Sequence, residues 1–168
     1  MKVYPKDYFE INSSMSTGEI LAALDAVVEP PKWFRWRSTS GKKYHGEVSP
    51  NSFKIWKIIS YRNSFLPIIE GIITPSSSGS RIAVTMRLHR FVAVFMLFWL
   101  SGVSVGVVTF LTAAMRGKME PTPALLVPLG MLLFGIALTS GSFWWEAKKT
   151  KLALIEFLKG TERQPTRE

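Results

Sequence analysis

The side chains best equipped for chemistry in this chain are cations and indole rings. Between Lys32 and Tyr44 the sequence KWFRWRSTSGKKY sets Lys32, Arg35, Arg37, Lys42 and Lys43 among Trp33, Phe34, Trp36 and Tyr44. Such heads pair with phosphate or carboxylate, and the rings either rest at a lipid–water boundary or stack on bases. Three readings compete. The stretch is a solvated strand with its tryptophans in the core, a patch on anionic headgroups where each Lys or Arg adds about 1 kcal/mol, or a grip on nucleic acid or another phosphate ligand. The candidate lipid- or anion-binding residues are Lys32, Trp33, Arg35, Trp36, Arg37, Lys42 and Lys43. A second cluster, YRNSFLP, sets the donors Arg62, Asn63 and Ser64 beside Pro67. It reads as a partner-contacting corner, or as a structural one in which Asn63 and Ser64 bond their own backbone. Pro67 lacks a ladder donor and belongs at an edge or bulge.

Other chemistries find little support. His45 and His89 are the only histidines, and neither has a carboxylate or second His at a metal-ligand spacing. The chain has no cysteine, which removes disulfides and thiolate metal sites. No nucleophile elbow, HExxH, P-loop or Rossmann fingerprint occurs. Glu47 and Glu70 are the only acids in the strand-rich region, so no catalytic, metal or cofactor-binding residue is assigned, and no cofactor is expected.

Two segments dominate what must position the cations. Phe91–Ala114 and Pro121–Trp145 carry no charged side chain. About 20 residues of helix cross the hydrocarbon core of a bilayer, and neither run shows the polar face of a surface helix. The composition agrees, being 47% hydrophobic yet +9 in net charge. The short MRGKME link makes the spans antiparallel neighbours. Pro121 and Pro123 fall at the start of the second, where a missing N–H costs little, and Pro128 one turn further in is a candidate kink. Small residues let helices approach closely in lipid, so Gly102, Gly106, Gly130 and Gly135 are candidate packing positions, within the hairpin or between subunits. Trp99 lies deep in the first span and is assigned to packing, Trp144 and Trp145 to an interfacial belt.

Arg81, Arg87 and Arg90 precede the first span, and Lys148, Lys149, Lys151 and Lys159 follow the second, against Arg116 and Lys118 in the link. The positive-inside rule then puts both termini in the cytoplasm, in a bacterial inner membrane. The first thirty residues hold five acids and no long apolar core, so no cleavable leader is expected, and the NSS sequon at 12–14 carries no meaning on that side of the membrane.

Residues 1–90 read as a small α+β module. Ser16 and Glu19 form a capping box, and Ile20, Leu21, Leu24, Val27 and Val28 give a helix over 17–28 one apolar side. Strands are expected at 33–37, 43–48, 53–60, 68–74 and 81–88 in a small antiparallel sheet. The strand over 53–60 has two mixed faces, which suggests cover on both. Ile82, Val84, Met86 and Leu88 alternate with polar residues, the period of a half-buried strand. Residues 146–160 read as an amphipathic helix ending at Gly160, either on the sheet or as an extension of span two. Residues 161–168 read as a frayed tail.

The fold class expected is therefore an α+β membrane protein, a small sheet with flanking helices joined to a two-helix transmembrane hairpin. The function expected is a binding or scaffold module at the inner membrane face that recruits a protein partner, anionic lipid or small anionic ligand. Nearness to the bilayer favours lipid over nucleic acid. The alternatives are a homo-oligomeric effector or pore assembled through the spans, and a membrane-bound enzyme.

Overall fold

The computed structural model describes residues 5–30, 42–58, 64–117, 123 and 126–163. Along the chain run β1 (Lys6–Ser13), α1 (Thr17–Val27), β2 (Val28–Glu29), β3 (Tyr44–Ser49), β4 (Ser52–Lys57), β5 (Ile68–Ser76), β6 (Gly79–Arg87), α2 (Arg90–Met115), α3 (Leu126–Phe157) and β7 (Gly160–Arg163). The strands form one seven-stranded sheet in the order β2-β3-β4-β5-β6-β1-β7.

The alternation read in β6 decides which face is buried. Ile82, Val84, Met86 and Leu88 all lie in the core, joined by Phe9 and Ile11 of β1, Ile69 and Ile73 of β5, and Phe53 and Ile55 of β4. Two helices cover this face. One is α1, which buries Ile20 and Leu24. Its capping box is complete: the Ser16 hydroxyl accepts from the Glu19 N–H, and the Glu19 carboxylate accepts from the Ser16 N–H at 2.7 Å. The other is the C-terminal half of α3, which buries Phe143, Ala147 and Leu154 and is followed by buried Leu158. Both alternatives for the 146–160 helix are thus realised together. It continues the second long apolar segment without a break, and it packs on the sheet.

The sheet departs from expectation in several places. It is mixed rather than antiparallel, because β2 pairs with β3 in parallel. β1, built on the alternation in YFEI, lies outside the expected strands and pairs along its whole length with β6. The segment after Gly160 is not frayed as far as Arg163, since β7 pairs antiparallel with β1. The turn into β7 is made by Lys159 at φ 46°, one residue before the glycine expected there. A buried hydrogen bond from the Ser13 hydroxyl to the Leu158 carbonyl (2.5 Å) ties this corner to β1. β4 ends at Lys57 and is one-sided: Phe53 and Ile55 are buried while Lys54 is exposed. The strand expected at 33–37 lies outside the described residues. The β5–β6 hairpin is longer than the 68–74 and 81–88 arms foreseen. It turns on Ser77 and Ser78, with Gly79 at φ 132° where a Cβ would strike the Ser13 carbonyl. Pro67 stands just before β5, so an interior strand loses no ladder donor to it.

α2 has 26 residues and α3 has 32, and both are long and apolar enough to cross a membrane. Their most apolar stretches are only 11% and 17% buried within the molecule. A core helix of a water-soluble protein hides its apolar side chains; here Phe91, Leu97, Phe98, Leu133 and Phe134 stand open. Pro128 falls in the first turn of α3, where a backbone N–H has no intrahelical acceptor in any case.

Candidate binding surfaces at the sheet–helix junction

Only Leu88 and His89 separate β6 from α2. Leu88 is buried in the core, and His89 caps the helix by accepting the Phe91 N–H on Nδ1 at 3.2 Å. α3 passes the same level on its way into the core. The sheet is therefore held to the helical pair at two points, both short and packed. Beneath the junction lies an apolar groove of about 510 Å³, walled by Pro5 and Leu88 above, Ala93 and Leu97 on α2, and Ile136 and Thr139 on α3. The Thr139 hydroxyl donates to the Gly135 carbonyl (2.7 Å), which leaves the wall without an unsatisfied donor at that point.

The second surface is the sheet face turned away from the helices. Register aligns His45, Trp56, Ile68, Arg87 and Lys6 in one cross-strand row, and Glu47, Lys54, Glu70, Thr85 and Tyr8 in the next. Glu70 is the centre of this face. Arg87 grips it with two hydrogen bonds of 3.0 and 2.5 Å, and Lys54 lies 3.6 Å away. The Arg87 hydrogen bond, aided by both nearby cations, holds the Glu70 carboxyl below its ordinary range despite partial burial. Tyr8 donates to Glu10 at 2.9 Å, and that bond raises the phenol above its ordinary value. Ile72 is 61% exposed in the middle of the face. A face that sets one ion-paired carboxylate, Glu70, beside an exposed isoleucine can bind a partner.

The candidate residues from the sequence separate by location. Lys32, Trp33, Arg35, Trp36 and Arg37 lie outside the described residues, as do Arg62 and Asn63. Lys42 is engaged in structure: its ammonium donates to the Asp25 carbonyl (2.7 Å) and the Val28 carbonyl (2.8 Å), capping the end of α1. That leaves one of its three N–H bonds for anything else. Lys43 is exposed beside a small groove lined by Val27, Tyr44 and Phe157. Burial raises the Tyr44 phenol above its ordinary value. Ser64 is an exposed turn residue. Of the four glycines, Gly135 meets the partner helix, where a Cβ would collide with the Trp99 ring. Cβ atoms on Gly102, Gly106 and Gly130 would meet nothing within 4 Å. Trp145 is exposed with Lys149 4.8 Å above its ring, while Trp144 packs on the core.

The Glu70–Arg87 pair escaped the sequence reading. Arg87 and Glu70 are distant in the chain, and only the β5–β6 register sets them diagonally across from each other. The groove escaped it too, since its walls come from three separate elements. Among the described residues no group of three or more His, Asp or Glu could hold a metal ion. No protein-family model, curated protein or solved structure matches this chain.

Proposed function

We propose that this chain is a small two-span membrane protein of the cytoplasmic membrane, whose α+β part works as a binding module fixed at the inner face. The observation that carries the reading is the continuity of α3. One helix of 32 residues begins among open apolar side chains and ends inside the core of the sheet. Together with the two-residue β6–α2 link, it makes anchor and module one body rather than a domain on a tether. A module so mounted is held close to the headgroups with a constant face presented outward. That geometry suits recruitment of a partner: the open face, with Ile72 exposed beside the Glu70–Arg87 pair, meets a protein, while the basic flanks meet anionic lipid.

The chain lacks cysteine, so single Cys variants report topology directly. In sealed inner-membrane vesicles, a thiol at Ile72 and one at Gly117 are expected to react from opposite sides, and the protein is expected to resist carbonate extraction. Release by carbonate, or labelling of both sites from one side, would refute the reading. Photo-cross-linkers at Ile72 and Ala83 test recruitment. A discrete heterologous adduct is expected from these positions, and the absence of any removes the recruiting role.

A second reading is a homo-oligomer formed through the spans, with the soluble part as sensor. Three glycines favour it, because Gly102, Gly106 and Gly130 face open space instead of the partner helix of the hairpin. Close helix approach in lipid uses such residues. A strictly monomeric result on cross-linking in mild detergent would eliminate it.

A further inference from the structure

We propose that the groove beneath the sheet holds one acyl chain of an anionic phospholipid, with His89 and Arg90 engaging the phosphate at its upper end. This deepens the membrane-anchored reading above and rests on it.

The groove volume of about 510 Å³ falls within the roughly 300–1,000 Å³ of small-molecule sites. Its walls are mostly hydrocarbon, with Leu88, Ala93, Val94 and Leu97 on one side and Ile136 on the other, where Thr139 and Ser140 add two hydroxyls. An apolar cleft between two lipid-facing helices is filled by whatever apolar solvent surrounds them, and in a bilayer that is acyl chain. What distinguishes this cleft from ordinary lipid contact is an exposed arginine, Arg90, one helical turn from its wall residues Ala93 and Val94.

Arg90, Ala93, Val94 and Leu97 fall at i, i+3, i+4 and i+7 on α2 and share one face. Helical side chains lean toward the N-terminus, which carries the exposed Arg90 guanidinium past the apolar wall toward the headgroup level. His89 precedes it and is also exposed. Its Nδ1 is used by the Phe91 N–H, so Nε2 is the nitrogen placed to donate outward. The first turn of α2 contains no acidic residue to offset the Arg90 charge. Phosphatidylcholine would bring its own quaternary ammonium to this end; phosphatidylglycerol brings a phosphate with no cation. The charge pattern thus selects phosphatidylglycerol over phosphatidylcholine.

The test uses the full-length chain reconstituted in equimolar phosphatidylglycerol and phosphatidylcholine, released into mild detergent and weighed by native mass spectrometry. One retained lipid per chain is expected, enriched about fivefold in phosphatidylglycerol, the ratio that corresponds to about 1 kcal/mol from a single cation. Arg90→Gln should bring the two lipids close to parity while leaving retention in place. Leu97→Trp should fill the cleft and reduce retention of both; Leu97 is 70% exposed, so the larger ring has room without disturbing the core. Retention in the bulk lipid ratio, unchanged selectivity in Arg90→Gln, or a lipid-free dimer occupying the cleft would overturn the proposal. Carbonate extraction of the same vesicles separates the two levels of the argument. A chain that is washed off removes the anchoring reading and the groove with it. A chain that stays embedded but shows no selectivity removes the groove proposal alone.

Discussion

Replacing each of the four span glycines by alanine gives the sharpest test of how α2 and α3 meet. Every Gly→Ala change in a helix interior gains a similar propensity term, about 0.8–1 kcal/mol. That term cancels when the variants are compared with one another. What remains is local space. At Gly135 the new methyl group would strike the Trp99 ring and approach Leu100, whereas at Gly102, Gly106 and Gly130 it meets nothing within 4 Å. Overpacking of a filled site costs about 1–3 kcal/mol. Gly135→Ala is therefore expected to be about 1–3 kcal/mol less stable than the other three, which should match or slightly exceed the parent. The assay is unfolding in mixed micelles at rising SDS fraction, followed by loss of far-ultraviolet circular dichroism. Trp99→Ala supplies the internal control. Combined with Gly135→Ala it should recover most of the loss, giving a clear coupling energy in the double-mutant cycle. If the four alanine variants unfold together, or if removing the Trp99 ring restores nothing, the account of this helix contact is wrong.

Two further outcomes concern the sheet. Because Arg87 depresses the Glu70 carboxyl, the pair contributes stability that is present above the unfolded carboxylate pKa of about 4.3 and is lost as pH falls through the lower folded value. Glu70→Gln should therefore be less stable than the parent at pH 7, with the gap closing on acidification toward pH 3; a gap that stays constant across a thermal-melt series would contradict this. Leu158→Ala removes a fully buried side chain at the corner tied to Ser13 and should cost about 2–5 kcal/mol. Amide exchange should then accelerate first in β7, and uniform acceleration across the sheet would argue against local release of that strand.

The sequence was legible wherever a single element carried its own signal. Ser16 and Glu19 announced α1 through a local hydrogen-bond exchange. Alternation over Arg81–Leu88 announced β6 because one face of the strand is buried and the other is not. The uncharged runs of α2 and α3 were long enough that no other element type fits them. Short strands were harder. β2 has two residues and β7 has four, so neither contains a full alternation to read. Gly160 looked like a helix terminator by composition. In the fold Lys159 makes the turn, and Gly160 opens β7 where a Cβ would crowd Ile11.

Lys42 shows the limit most plainly for the candidate sites. In the chain it is one basic residue in a run, and its charge suggests an anion. In three dimensions two carbonyls at the end of α1 take its protons. The charge is unchanged, but the hydrogen-bonding capacity is mostly used.

What the sequence determined alone was the local chemistry: helix and strand periods, the capping box, the two long apolar segments and the excess of cations at their flanks. These depend on neighbours within one or two turns, which composition and spacing encode. Tertiary structure alone decided that Glu70 meets Arg87 and Lys54, that Gly135 rather than Gly102 receives the Trp99 ring, and that α3 joins the long apolar hairpin to the core of the sheet. Each of these depends on register and packing between distant segments, where a side chain's role is set by which surface it is pressed against.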